Sequence, residues 1–177
     1  LKLQNVSLGG DKPITLSLGA GEILGFPSLL GSGVVEILDG TSGRNPFRSG
    51  KLEFNGFNHT KTNISQKIKA GICLVPGDAT LEGLIPKLTI QENILLSNRD
   101  KFTKFGVFRG SNLRSFCQEL ISLLDIRPNN PSTVVEYLSG GNRQKVVIAK
   151  WIAAGAKLMV MDDPTKGVDV GAKIEIY

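Results

Sequence analysis

Cysteine is scarce in this chain, and so is any long apolar run. Two cysteines in 177 residues, Cys73 and Cys117, are too few and too far apart for a disulfide framework or a thiolate metal site. They read as core thiols in a reducing compartment. No apolar stretch approaches the roughly 20 residues that span a bilayer. No cleavable export signal opens the chain, so the sequons Asn5-Val6-Ser7, Asn58-His59-Thr60 and Asn63-Ile64-Ser65 read as chance matches. There is no internal repeat and no low-complexity tract. His59, the single histidine, reads as a surface residue.

What remains is ordinary globular material, 41% hydrophobic and 21% charged, enough for one domain with a substantial core. The net charge of +5 could suggest nucleic acid or anionic lipid, but the basic residues are scattered. The loose group Lys101, Lys104, Arg109 and Arg114 reads as a solvated face. The sequence starts at Leu1 without methionine and stops at Tyr177 inside a periodic segment, which fits a piece of a longer polypeptide.

Ile14, Leu16 and Leu18 alternate with polar residues, as in a half-exposed strand of an antiparallel layer. Ile23-Leu24-Gly25-Phe26 reads as a short buried strand, followed by a glycine-bearing loop and a helix from Val34 to Leu38. Lys51 to Asn55 reads as a strand closed by the turn pair Asn55-Gly56. Ile64 to Ala70 reads as a helix, and Gly71 to Val75 as a buried strand ending at Pro76-Gly77. From Thr89 the period becomes helical. Thr89-Ile90-Gln91-Glu92 is a capping box that starts a helix to about Leu96. Leu113, Phe116, Cys117, Leu120, Ile121 and Leu124 form one apolar stripe, ended by Arg127-Pro128. The middle of the chain is therefore expected to be helical.

Two segments carry chemistry. Ser28-Leu29-Leu30-Gly31-Ser32-Gly33-Val34-Val35 lies between a strand and a helix, where a phosphate-binding loop belongs. Against the pattern G-x-x-x-x-G-K-[ST], Ser28 replaces the first glycine, Val34 the lysine and Val35 the hydroxyl. A lysine ~4 Å from a phosphate is worth roughly 4 kcal/mol at an effective dielectric near 20, before desolvation. Backbone donors and the helix dipole supply about 0.3–2 kcal/mol. Any ATP site built on this loop should be weak, and taken alone the loop reads better as an ordinary strand–turn–helix.

The second segment is Leu138-Ser139-Gly140-Gly141-Asn142-Arg143-Gln144-Lys145, followed by the apolar run Leu158-Met159-Val160-Met161 and then Asp162-Asp163-Pro164-Thr165. A diglycine turn opening a helix offers backbone N–H groups to an anion. A buried strand ending in two carboxylates can hold a hydrated Mg²⁺ or orient a water.

On these residues the chain resembles the nucleotide-binding domain of ATP-binding cassette (ABC) transporters. Leu138-Ser139-Gly140-Gly141 resembles the ABC signature, Leu158 to Asp162 the Walker B strand, and Asp169 the D-loop aspartate. Asn142-Arg143-Gln144-Lys145 and the tail Gly167 to Lys173 resemble the ribose, xylose and galactoside type of sugar importer. So do Gly21 to Gly25, Val75 to Asp78 and Glu82-Gly83-Leu84, which follow that family's second, C-terminal cassette.

The resemblance implies an α/β P-loop NTPase fold: a RecA-like core with an antiparallel β layer and a helical subdomain inserted at about residues 84–153. One cassette would occupy residues 1–177, truncated at its C-terminus. It implies ATP and Mg²⁺ as cofactors. Ser28, Gly31, Ser32, Gly33, Val34 and Val35 would form a degenerate phosphate loop. Asp162 would ligate the metal and Asp163 would stand at the general-base position. Ser139, Gly140, Gly141, Asn142 and Gln144 would face an ATP held by a partner cassette, with Asp169 in the D-loop. The implied partners are a second cassette upstream in the same polypeptide, transmembrane permease subunits and a periplasmic or extracellular sugar-binding protein, with no nucleic acid. The implied place is the cytoplasmic face of the cell membrane.

Departures accompany the matches. Where the family has glutamate after Walker B, this chain has Asp163, and withdrawal of a carboxylate by about an ångström can cost about a hundredfold. Gly77 stands where this subfamily usually has glutamate, and Val34-Val35 where it usually keeps Arg-Thr. No aromatic residue precedes Phe26 to stack on adenine, and the switch histidine would fall beyond Tyr177. Two alternatives stay open: a self-sufficient slow ATPase, and a non-transport ABC protein acting on nucleic acid.

Overall fold

The computed structural model describes residues 1–7, 12–27, 33–98, 103–104, 107–108 and 112–166. Ser28, Gly31, Ser32, Asp169, Lys101, Arg109 and the tail from Gly167 onward lie outside these residues. The chain divides into two compact units, 1–74 and 75–177.

The first unit is built on an antiparallel sheet. Its strands are β1 (Lys2–Ser7), β2 (Ile14–Ser17), β3 (Ser49–Phe54) and β4 (Phe57–Asn58), in the order β2-β1-β3-β4. Alternation places Leu52 and Phe54 of β3 on the buried face, and on β1 a register shift between Leu3 and Val6, with Asn5 at φ 50°, leaves both of those buried as well. The expected antiparallel layer is present, with Leu3 opposite Leu16 and Leu52. Asn55 and Gly56 close the β3–β4 hairpin with φ of 50° and 80°, the two positive values that a twisted two-residue turn requires. His59 is half-buried rather than a free surface residue: its ring stands edge-on to Phe54 at 6.4 Å.

Ile23 to Phe26 is not a buried strand. The segment has no regular structure, and Ile23 is 97% exposed. Four apolar residues make a strand only where a ladder accepts them. Here Gly25 interrupts the run, and Pro27 brings no donor to it.

Helix α1 (Val34–Ser42) runs four residues beyond its expected end at Leu38 and stops at Gly43. Helix α2 (Ile64–Ala70) matches its expected bounds, opened by a capping box between Asn63 and Gln66. Its Lys67 is completely buried, and its Nζ donates to the carbonyls of Gly40 at 2.7 Å and Thr41 at 3.0 Å. Those carbonyls belong to the last turn of α1, where the helix has no donors left of its own.

Strand β5 (Ile72–Val75) leads into the second unit. There a wide turn at Ala79–Gly83 precedes α3 (Ile90–Leu95), whose capping box joins Thr89 and Glu92 as expected. A short hairpin follows, β6 (Thr103–Lys104) with β7 (Val107–Phe108), inside the stretch expected to be helical. Two-residue strands leave no periodicity to detect. Helix α4 (Asn112–Leu123) buries Leu113, Cys117, Leu120 and Ile121 along the anticipated stripe. Helix α5 (Gly140–Ala154) packs on α3 and α4, and β8 (Leu158–Met161) ends the described chain's regular structure. Only Val160 of β8 is buried, and Met161 is 39% exposed, so this strand is less enclosed than its sequence suggests. Among the described residues no helix is long and apolar enough to cross a membrane.

Burial lowers the pKa of the Lys67 ammonium from 10.5 to about 8. Between those values the unfolded chain holds a proton that the folded chain has released, so raising the pH favours folding. Unfolding free energy is expected to climb as pH rises from about 8 towards 10.5, and Lys67→Met should remove that climb. Chemical denaturation across this pH range checks it.

Candidate functional site

Helix α5 begins at an open end. Ser139 is its N-cap, with φ −64° and ψ 161°. The Ser139 Oγ accepts the Asn142 N–H at 3.4 Å and the Asn142 Nδ2–H at 2.9 Å. The helical ladder starts with Arg143 N–H donating to the Ser139 carbonyl at 2.9 Å. The N–H groups of Gly140 and Gly141 precede that ladder and have no acceptor within the helix. Ser139 and Gly140 are exposed, while Gly141 is buried. The segment thus presents a hydroxyl and free N–H groups at the positive end of a 15-residue helix with no acidic residue in its first turn.

Behind this opening, the polar side chains of α5 are turned into the fold. Asn142 Oδ1 accepts the Arg127 N–H at 2.7 Å. Arg143 spreads its guanidinium over the Val135 carbonyl (3.3 Å), the Glu136 carbonyl (2.7 Å) and Thr80 Oγ1 (3.2 Å). Gln144, only 3% exposed, donates to the Pro76 carbonyl at 3.1 Å. Lys145 Nζ donates to Asp125 O at 3.0 Å, and Lys150 Nζ to Gly83 O at 2.6 Å while lying 4.4 Å from the Trp151 ring centre. Sequence reasoning placed Asn142 and Gln144 at a nucleotide. In the structure their amides are engaged by Arg127, Ser139 and Pro76. The roles of Arg143, Lys145 and Lys150 were missed. A usable signal existed, since Lys145 and Lys150 flank the apolar run Val146 to Ala149.

The segment Pro76 to Gly83 is therefore held at its start, middle and end by Gln144, Arg143 and Lys150. Gly77 reaches the end of β8. A Cβ on Gly77 would lie 2.9 Å from the Asp162 carbonyl, so no side chain fits without a backbone shift. Asp162 is half-buried, and its N–H donates to the Val75 carbonyl at 3.0 Å. Asp163 is exposed and takes φ 40°, a left-handed value that aspartate tolerates better than most residues.

Among the described residues no group of three or more His, Cys, Asp or Glu could hold a metal ion. Magnesium usually keeps several waters and binds one or two carboxylates plus phosphate oxygens. Asp162 fits as one such ligand beside a nucleotide, and not as a resident metal site. At the start of α1, Gly33 has φ 76° and makes no side-chain cap bond. Val34 and Val35 offer neither charge nor oxygen there, and the acidic residue of the first turn, Glu36, is exposed.

Arg143→Met removes three donors while keeping the stem. The carbonyls of Val135 and Glu136 lose charged partners, at a cost of about 2 kcal/mol. Guanidinium denaturation of the variant should show a lower midpoint with an unchanged slope.

The profile of ABC transporters matches residues 12–166 of this chain. The Ribose import ATP-binding protein RbsA of Lactococcus lactis subsp. cremoris is 40% identical over 174 residues, 98% of this chain and 35% of that protein. The RbsA of Streptococcus agalactiae serotype III is 41% identical over 97% of the chain and 35% of its own length. An uncharacterized ABC transporter ATP-binding protein of Escherichia coli, YphE, is 36% identical over 93% of the chain. The chain spans about a third of the length of these curated relatives. Among solved structures, a dimeric post-hydrolysis state of the ATP-binding cassette MJ0796 bound to ADP and Pi superposes with a TM-score of 0.79 at 23% identity, covering 99% of this chain and 78% of that one. The ADP conformation of the cassette MJ1267 gives 0.80 at 20% identity, covering 99% and 72%. The fold is that of an ATP-binding cassette, a P-loop NTPase.

Proposed function

The chain belongs to the ABC transporter family, and from that premise we propose that it is the degenerate cassette of a two-cassette ATPase powering monosaccharide import. Its signature segment closes over an ATP held by a partner cassette. The observation that carries this reading is the contrast between two helix starts. At α5, Ser139 and Gly140 are exposed, with a hydroxyl and unpaired N–H groups. At α1, the first turn holds two valines and an acid. Bound ATP with Mg²⁺ supplies the phosphoryl group whose hydrolysis drives transport. The residues of this chain donate hydrogen bonds to its terminal phosphate, where donors of this kind are worth 10²–10³ in rate, roughly.

The relatives named for ribose import support the sugar class. The partner cassette, permease subunits and an external sugar-binding protein complete the assembly at the cytoplasmic face of the membrane. The mainly helical stretch around residues 84–153 is the inserted helical subdomain. Asp163, one methylene shorter than glutamate, stands at the general-base position of this cassette's own weak site, with Asp162 as its magnesium ligand and Asp169 in its D-loop.

In the full-length protein, Ser139→Arg is expected to lower ATP turnover by about a hundredfold or more, because it fills the opening at α5. Val34→Ala should change turnover by less than about twofold, since no polar group is lost. Steady-state phosphate release on the assembled transporter compares the two. Equal sensitivity at both positions would refute the asymmetry.

A further inference from the structure

Ser139 Oγ has one hydrogen to give and two lone pairs to receive. Which of these faces outward is decided by its neighbours. The Arg127 backbone N–H can only donate, and it meets Asn142 Oδ1 at 2.7 Å. That contact fixes the Asn142 amide: its oxygen faces Arg127 and its nitrogen must face Ser139. Asn142 Nδ2 then donates to Ser139 Oγ at 2.9 Å, and the Asn142 backbone N–H approaches the same oxygen at 3.4 Å. Both lone pairs are thereby engaged. The only hydrogen-bonding capacity left on Ser139 is its O–H proton, and Ser139 is exposed.

We propose that Asn142 is a positioning residue that makes Ser139 an outward donor, so that this hydroxyl serves an anionic oxygen and cannot turn to accept from water or from a neighbouring donor. The inference rests on the proposed role of the signature segment and deepens it. The relay runs from a main-chain N–H on the loop after α4, through one amide, to one hydroxyl. Asn142 touches no substrate in this scheme. With Asn142 in place, Ser139 loses no time in wrong orientations and matches a phosphate oxygen, which has only lone pairs to offer. Gly140, exposed beside Ser139, adds a main-chain N–H that the helix leaves without an acceptor, so the helix start offers donors to an anion.

The test uses the full-length polypeptide assembled with its partner cassette and permease. Asn142→Leu is nearly isosteric and uncharged, and it removes both the acceptor for Arg127 and the donor to Ser139. Asn142→Ala serves if the leucine variant folds poorly. Without nucleotide, amide hydrogen exchange at Arg127 should quicken at least tenfold in either variant. With MgATP, kcat should fall about tenfold while KM stays within about twofold, because the nucleotide is held chiefly by the partner. In the double variant Ser139→Ala/Asn142→Leu, turnover should match the slower single variant. A product of the two single losses would overturn the relay, as would unchanged exchange at Arg127. Wild-type turnover in Ser139→Ala would overturn the signature reading itself and this inference with it. Ser139-dependent turnover with multiplying losses overturns the relay alone.

Discussion

A helix that keeps its first N–H groups open must be held somewhere else. For α5 the anchoring comes from donor-only side chains reaching main-chain carbonyls of the segments around it. Arg143, Lys145 and Lys150 cannot accept a hydrogen bond, so each seeks an oxygen. They find the carbonyls of Val135 and Glu136 in the short 3₁₀ turn Val135–Tyr137, of Asp125 after α4, and of Gly83 at the end of the wide turn before α3. A buried carbonyl left without a partner costs about 1–3 kcal/mol, and a charged donor contributes more than a neutral one. Loops on both sides of the helix are stabilised by the contacts that fix the helix, and in its N-terminal turn the Asn142 N–H is capped by Ser139 Oγ while that of exposed Gly140 is left open.

The same chemistry recurs wherever this fold must end a helix or bend a chain inside apolar surroundings. Lys67 supplies donors to the last turn of α1. Asn93, fully buried, bonds Ile85 through both its oxygen and its nitrogen and also reaches the Leu88 and Thr89 carbonyls, which fastens the segment before α3. Long polar side chains thus close hydrogen bonds that short turns cannot close alone. Ionic desolvation opposes this use of lysine, and the lowered pKa of Lys67 measures that opposition.

Signals that are local in the chain were legible in it. The capping box at Thr89, the turn at Asn55-Gly56, the stripe on α4 and the diglycine start of α5 each depend on residues close in sequence, and each stands where the sequence places it. Ile23 to Phe26 failed for the opposite reason: a strand is decided by its neighbours in a sheet, and four apolar residues do not name them. The two-residue strands Thr103–Lys104 and Val107–Phe108 are too short to show a period. Buried cations were the largest omission at the site. Charge at positions 143, 145 and 150 was given no structural role, because the sequence does not display the main-chain carbonyls that draw these side chains inward. Ser139 and Gly140 were legible, while the engagement of Gln144 with Pro76, 68 residues away in sequence, was not.

The two helix starts also differ in electrostatic bias. Both have free N–H groups, as every helix does, so geometry alone makes each a candidate for an anion. At α1 the acid Glu36 sits in the first turn and occupies the favourable end of the dipole with a negative charge of its own. An incoming phosphate meets that charge and two valine side chains. At α5 no acid stands in the first turn, and the adjacent charge is the guanidinium of Arg143. At a surface dielectric between 20 and 80, a unit charge about 8 Å away contributes on the order of 0.5–2 kcal/mol, favourable at one helix and unfavourable at the other. On the proposed reading, the absence of a lysine at position 34 and the acid at position 36 act in the same direction. The start of α1 therefore disfavours an anion relative to the start of α5.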